Sequence, residues 1–179
     1  MTRIEFPVLE TPRLRLEPFT VDHSDCVYSL WSNPAVCRYS GDAEDWQGDQ
    51  IELPAPNFRE SDKILDYFIR RAEAETGVRW AVFSRENMRG IGAVGLNALS
   101  PNAEIAYHLH PDDWGFGYAT EACRAVIDWT WQALPANSIE AYANADNVPS
   151  IALAMRLGFV ARSDSREGAQ RFELLRQGD

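Results

Sequence analysis

Leu109-His-Pro-Asp-Asp-Trp-Gly-Phe-Gly-Tyr-Ala-Thr-Glu-Ala122 is the stretch whose reading decides the fold. It reads as the end of a strand, a glycine-bearing loop and the opening turn of a helix. Gly115 and Gly117 have no Cβ, so the backbone there can turn tightly and approach a ligand closely. The first N–H groups of a helix have no partner inside it, and the helix dipole adds partial positive charge at that end. Such a junction is a seat for a phosphate or pyrophosphate.

Three other readings of the same stretch compete. In a dinucleotide fold the run Gly115-x-Gly117-x-x-Thr120 would lack its third glycine, although Glu140 falls near the place of a ribose-binding acid. Pro111 to Trp114 separate the strand from the first glycine, where that fingerprint wants glycine at once. A P-loop needs Lys followed by Ser or Thr after its second glycine, and here Tyr118-Ala119 stand there. The plainest alternative is a tight strand-to-helix turn with no ligand.

Upstream of this loop, Arg13-Leu-Arg-Leu-Glu17 alternates polar and apolar residues and predicts a strand. Thr20 to Asp22 offer caps for a helix through Trp31, and a short second helix fits Pro34 to Tyr39. Residues 40–58 are acidic, hold several Pro and Gly, and read as a loop bordering a substrate site. Ile64, Leu65, Phe68 and Ile69 recur at helical spacing, predicting a helix from Asp62, after Ser61, to Glu75, with Gly77 as its stop. Val78–Ser84, Ile91–Leu99 and Glu104–Leu109, joined by short turns, predict an antiparallel meander.

Downstream, the helix after the glycine loop runs to about Gln132, with Ala119, Ala122, Cys123, Val126 and Ile127 as its apolar stripe. Ser138–Ala143 predicts a strand. Asn147 caps a helix over Val148–Leu157, which Gly158 ends. Strands from Phe159 and over Arg171–Leu175 close the chain. The order of elements predicts an α/β (α+β) domain with a mixed sheet.

Composition narrows the function. The 179 residues suit one domain with a real core. With 17 basic and 27 acidic residues the net charge is −10, which argues against nucleic-acid binding and favours a neutral or cationic substrate. Cys26, Cys37 and Cys123 are scattered, with no metal or disulfide spacing, and point to a reducing, cytoplasmic setting. No apolar run reaches the length of a signal peptide core or a membrane span, so no membrane partner is expected. The sequence leaves monomer and homodimer open.

Pro111-x-x-Trp-Gly-x-Gly-Tyr-Ala-Thr-Glu-Ala122 resembles the acetyl-CoA pyrophosphate loop of the GNAT acetyltransferase superfamily. It is most similar to the Rim-type branch, whose namesakes acetylate N-termini of ribosomal proteins. Three more segments follow that branch in order. Glu10-Thr-Pro-Arg-Leu-Arg-Leu16 resembles its N-terminal strand. Ala103-Glu-Ile-Ala-Tyr-His-Leu109 resembles the strand that carries the acetyl group. Asn147-x-x-Ser150 with Arg156-Leu-Gly-Phe159 resembles the helix that flanks pantetheine. The resemblance implies a single GNAT-like domain over 1–179, with a central, mixed, mostly antiparallel sheet flanked by helices. Trp114 stands where the superfamily often has Gln or Arg, though the branch commonly has an aromatic there. Ala154 occupies the place of a tyrosine general acid, and Ala106 that of a glycine.

The implied reaction is acetyl transfer from acetyl-CoA, as co-substrate, to a primary amine by direct attack. It needs a neutral amine, a stabilised oxyanion and a protonated thiolate leaving group. The resemblance places the pyrophosphate on the N–H groups of Gly115, Phe116, Gly117, Tyr118, Ala119 and Thr120. It places the thioester near the Leu109 backbone, and Trp114 either over the loop or in the core. Strand alternation puts Ile105, Tyr107 and Leu109 on one face, read as core, and Glu104, Ala106, His108 and His110 on the other, read as cleft lining. Glu104 is the first candidate for general base; its structural alternative is a solvated or salt-bridged strand residue. His108 is the second, because its ordinary pKa suits proton transfer near neutrality. His108 and His110 at i, i+2 lack a third metal ligand, so no metal is expected. Ser150 is the candidate donor to the thioester sulfur, and Asn147 both a cap and a CoA contact. Arg124 and Arg156 are candidates for CoA phosphates or plain surface arginines. The acceptor is expected to be a protein N-terminus, whose amine needs less help from a base than lysine. A small-molecule amine (amino acid, polyamine or aminoglycoside) and a non-catalytic acyl-CoA-binding module are the alternatives.

Overall fold

The structure, a computed structural model, describes residues 3–177. The chain opens with strands β1 (Leu9–Glu10) and β2 (Leu14–Pro18), a 3₁₀ turn over Val21–His23, and helices α1 (Ser24–Trp31) and α2 (Pro34–Cys37). Asn33 caps α2, and Pro34 at its first position already has the backbone angle a helix needs. Residues 40–58 are not all loop: β3 (Ala43–Glu44) and β4 (Gln50–Ile51) pair into a small hairpin. Two residues per strand give too short a pattern to read as alternation. Helix α3 (Phe58–Glu73) starts four residues before Asp62, because Asn57 rather than Ser61 is its cap: the Asn57 side chain accepts from Glu60 N–H, and Ser61 is buried within the helix.

The meander of β5 (Val78–Ser84), β6 (Gly90–Ala98) and β7 (Asn102–Leu109) forms the centre of an eight-stranded sheet. Helix α4 (Tyr118–Ala133) crosses to β8 (Ser138–Asn144); α5 (Val148–Arg156), β9 (Val160–Arg166) and β10 (Ala169–Leu175) follow. The order is β1-β2-β5-β6-β7-β8-β10-β9, antiparallel except where β7 meets β8. That one parallel pair is what a helical crossover produces.

Each face of the sheet buries its own core. Val126, Ile127 and Trp129 of α4 and Leu153 of α5 pack on Leu14, Trp80, Val94, Ile105 and Ile139. Trp80 lies edge-on to Trp129, with ring centroids 5.2 Å apart, and its Nε1 donates to the Pro7 carbonyl at 2.8 Å. Val27, Leu30 and Trp31 of α1 pack with Ile64 and Leu65 of α3 on the opposite face, over Ala81 and Ala93. Burying each such large apolar side chain contributes roughly 1.5–3 kcal/mol. These two helical layers flank the sheet where the β7–β8 ladder opens.

Candidate active site

Strands β7 and β8 pair only from Asn102–Glu104 to Ser138–Glu140. Beyond Glu104 the ladder between them ends, and a cleft of about 1430 Å³ runs along the fork. His110 N–H donates to Ile91 of β6, and polar groups of successive strand residues alternate sides. His108 and Ala106 therefore bond towards β6, while Leu109 and Tyr107 turn their backbone groups into the fork. The Leu109 carbonyl is taken by Trp114 Nε1 at 2.8 Å. Trp114 is 52% exposed, so it packs over the loop and does not fill the core.

The glycine loop stands at the open end of the fork. Gly115 (φ 84°) and Gly117 (φ 81°) occupy the left-handed region that side chains disfavour. Glu121 N–H makes the first intrahelical bond, to Gly117. The amides of Tyr118, Ala119 and Thr120 therefore precede the helix ladder and face outward. Arg13 of the segment before β2 braces this loop. Its Nη1 donates to the Phe116 carbonyl at 2.9 Å, its Nε to Glu121 at 2.6 Å, and its guanidinium lies 4.5 Å from the centre of the Tyr118 ring. Thr11 Oγ also donates to Glu121, at 2.6 Å. Burial works to raise the Glu121 carboxyl, but the bonds from Thr11 and Arg13 outweigh it and hold it below the usual range. Glu121 thus serves as an anchor for Arg13 beside the outward amides of the loop. Arg156 reaches Thr120 Oγ at 3.0 Å and Arg124 is exposed on α4.

On the α4–α5 side of β7, Tyr107 and Ser150 share a hydroxyl–hydroxyl hydrogen bond of 2.7 Å. Asn147 caps α5 by accepting from Ser150 N–H, which sets Ser150 in the first turn. The assignment of Tyr107 to the apolar core needs correction: its ring packs against the core, but its hydroxyl ends in the fork beside Ser150. Burial pushes the Tyr107 hydroxyl up to about 12, opposed by the Ser150 bond, so it is a proton-bearing phenol at neutral pH. Ala154 is buried on the inner side of α5, and no hydroxyl is offered from that position.

On the α1–α3 side the cleft is lined by a connected set of polar side chains. Arg166 grips Glu104 with two bonds of 2.8 Å, while its guanidinium sits 3.9 Å over the Tyr142 ring. Asn97 donates to Glu104 at 3.0 Å and accepts from Arg79 at 2.7 Å. Burial works to raise the Glu104 carboxyl, but Arg166 and Asn97 outweigh it and hold it below the usual range. His108 stacks against Trp31, with centroids 4.8 Å apart, and its buried Nδ1 has no partner. Burial, reinforced by Arg79, pushes His108 down to about 3, so its ring is neutral under ordinary conditions. His110 is engaged elsewhere, accepting from Asp112 N–H, and among the described residues no group of three or more metal-ligating side chains gathers.

Glu104, His108, Leu109, Trp114, Asn147, Ser150 and the glycine loop therefore meet around one fork, His110 and Arg124 do not, and several partners were not legible. Tyr107 and Ser150 lie 43 residues apart, and Glu104 and Arg166 62 apart. Arg79 sits in an apolar strand and Asn97 near the end of another; only a charged residue inside a buried strand, at Arg79, was a usable signal.

A profile of the acetyltransferase (GNAT) domain matches residues 13–160. An N-acetyltransferase of Bacillus subtilis (strain 168), YoaA, is 28% identical over 176 residues, covering 97% of this chain and 91% of its own. An acetyltransferase from Agrobacterium tumefaciens str. C58 superposes with a TM-score of 0.76 at 20% identity, covering 98% of both chains. RimL, a ribosomal L7/L12 alpha-N-protein acetyltransferase in complex with coenzyme A, superposes with a TM-score of 0.77 at 17% identity, covering 94% of this chain and 98% of its own. No helix among the described residues is long and apolar enough to cross a membrane. A fork beside the one parallel strand pair among the described residues, with a left-handed glycine loop and unpaired helix-end amides at its open end, agrees with the profile match, and the chain belongs to the GNAT acetyltransferase family.

Proposed function

We propose that the protein transfers the acetyl group of acetyl-CoA, the co-substrate of the family, to a primary amine, and that the acceptor is a protein N-terminus. The observation that carries this reading is the Tyr107–Ser150 hydroxyl pair at the fork, in line with the anion seat at Gly115–Thr120. With the pyrophosphate on that seat, pantetheine runs between β7 and β8 along the open edge of Tyr107 and Leu109. Asn147, as the cap of α5, borders the same channel, and Trp114 shields its outer end.

The amine nitrogen attacks the thioester carbon, and the carbonyl electron pair moves to oxygen. A backbone N–H of β7 stabilises that oxyanion. The attacking nitrogen, now an acidic ammonium, gives its proton to Glu104, directly or through water. The carbon–sulfur bond breaks with its electron pair on sulfur, which takes a proton from Ser150; Tyr107 passes its own to Ser150, and the phenolate left behind recovers a proton from water in the cleft. Glu104 needs little basicity for its step, which suits a carboxyl held low by Arg166. His108 is neutral, and its Nδ1 is buried out of reach of an incoming amine, so in this reading it shapes the cleft wall beside Trp31 and takes no proton.

Direct attack is favoured over an acetyl-enzyme because no thiol here is activated. Burial pushes Cys123 up to about 12 and Cys26 up to about 11. The likeness to RimL supports an N-terminal acceptor, and an N-terminal amine titrates near 8, so a useful fraction is neutral without strong base help. The test is thiol release from acetyl-CoA with a panel of peptides. Turnover on a free N-terminus, lost on blocking that amine but kept on blocking lysine, supports the reading; turnover only on small amines overturns the acceptor.

A further inference from the structure

Arg79 is a buried charge for which neither the fold nor the acetyl transfer described above accounts. It lies in β5, is 2% exposed, and has Phe68 of α3 packed over it with 4.5 Å between guanidinium and ring centre. Burial, together with Arg71, lowers it to about 10, so it keeps its charge at neutral pH. A buried cation costs several kcal/mol in desolvation, and among the described residues no carboxylate contacts Arg79 directly.

Its side chain instead crosses the sheet. Arg79 stands opposite Gly95 of β6, and Gly95 opposite Ala106 of β7. A Cβ at Gly95 would lie 2.0 Å from the Val78 carbonyl, so only glycine fits there, and no side chain blocks the way. Through this gap Arg79 Nη1 donates to the Ala106 carbonyl at 3.0 Å, while Nη2 is fixed by Asn97 at 2.7 Å. The Ala106 carbonyl belongs to the same planar peptide unit as the Tyr107 N–H, and the two point in opposite directions. The Tyr107 N–H opens into the fork. A cation on the carbonyl end draws electron density through the peptide and makes the N–H at the other end a stronger donor.

We infer that Arg79 is a positioning residue of acetyl transfer: it orients and polarises the Ala106–Tyr107 peptide so that the Tyr107 N–H holds the developing oxyanion of the thioester. Arg79 never touches acetyl-CoA; it acts from behind the strand. The inference rests on acetyl-CoA occupying the fork as proposed above.

The test compares Arg79→Met, Arg79→Gln and Arg79→Lys. An apolar side chain of similar length is a mild replacement for a buried ion, so the methionine variant is the one most suited to retain the fold. Removing an oxyanion donor outright costs about 10²–10³ in kcat; weakening one is expected to cost about tenfold to a hundredfold. The neutral variants should lose that much kcat, keep KM for acetyl-CoA within about threefold of wild type, and leave lysine as a partial rescue. The infrared stretch of ¹³C-carbonyl acetyl-CoA on the protein should move back towards its frequency in water. Asn97→Asp, which pairs Arg79 in place with a carboxylate, should shift that frequency the same way without emptying the buried site. Unchanged carbonyl frequency in a folded variant that binds acetyl-CoA overturns the inference, whatever its kcat. Failure of the wild-type protein to bind acetyl-CoA would instead overturn the reading beneath it.

Discussion

The α4–α5 wall of the fork presents backbone: left-handed glycines, outward helix amides and the open edge of β7. The α1–α3 wall presents side chains, a chain of contacts from Arg79 through Asn97 and Glu104 to Arg166, with His108 against Trp31. The first wall needs a local conformation and can be written in a dozen consecutive residues. The second is gathered from β5, β6, β7, β9 and α1, and exists only after the sheet has formed. On the function proposed above, the backbone wall would hold the pyrophosphate and thioester, and the side-chain wall would meet the acceptor amine and take its proton.

The largest effect should come from the hydroxyl pair of Tyr107 and Ser150 on the α4–α5 side. Ser150→Ala with Tyr107→Phe removes both proton donors, and kcat should fall by about 10²–10⁴. Measured with saturating acetyl-CoA, a loss below about threefold would remove the pair from the chemistry. A smaller loss, about a hundredfold, is expected in kcat/KM for Glu104→Gln. Its companion, Arg166→Ala, should let the Glu104 carboxyl rise towards its ordinary value. Since the reaction uses the carboxylate, the acid limb of the pH–rate profile should then move to higher pH, and an unmoved limb would assign the base elsewhere.

The backbone wall should respond in binding. Gly117→Val forces a branched side chain into a left-handed conformation, a strain of about 1–2 kcal/mol, and KM for acetyl-CoA should rise about tenfold. Should kcat fall with KM unchanged, the loop would belong to the chemistry and the division between walls would fail.

The last effect is on stability, not on activity. His108 is pushed down to about 3 in the folded protein, against about 6.5 when unfolded. The unfolded chain therefore binds a proton that the native protein refuses. Stability should be complete above pH about 6.5 and decline as pH falls towards 3. Melting temperatures of wild type and His108→Phe at pH 7 and 4.5 test this: the variant should lose less on acidification. Parallel losses would show that the carboxylates, not His108, govern acid stability.

Much of the fold was legible because its signals are local. Asn147 before Val148 and Gly158 after Leu157 bound a helix by capping chemistry, and Gly158 does take a left-handed turn, φ 91°. The meander was written in alternation between short turns. Where the reading slipped, a competing local signal stood close by. The helix read from Asp62 after Ser61 starts at Phe58, behind the Asn57 cap, and the hairpin at Ala43–Ile51 is too short to show a period. Tyr107 was placed in the core by alternation, which assigns a face but not what meets the far end of a long side chain.

By itself, the sequence determined the left-handed turn between strand and helix, since Gly115 and Gly117 accept a backbone conformation that side chains disfavour. It also determined the order of elements and, through resemblance, the family. Tertiary structure alone decided how the candidate groups are paired and charged. Glu104 lies under Arg166, His108 is stripped of water against Trp31, and Tyr107 ends on Ser150. Proton affinity depends on burial and on neighbours within a few ångströms, and those neighbours come from segments that only the folded sheet brings together.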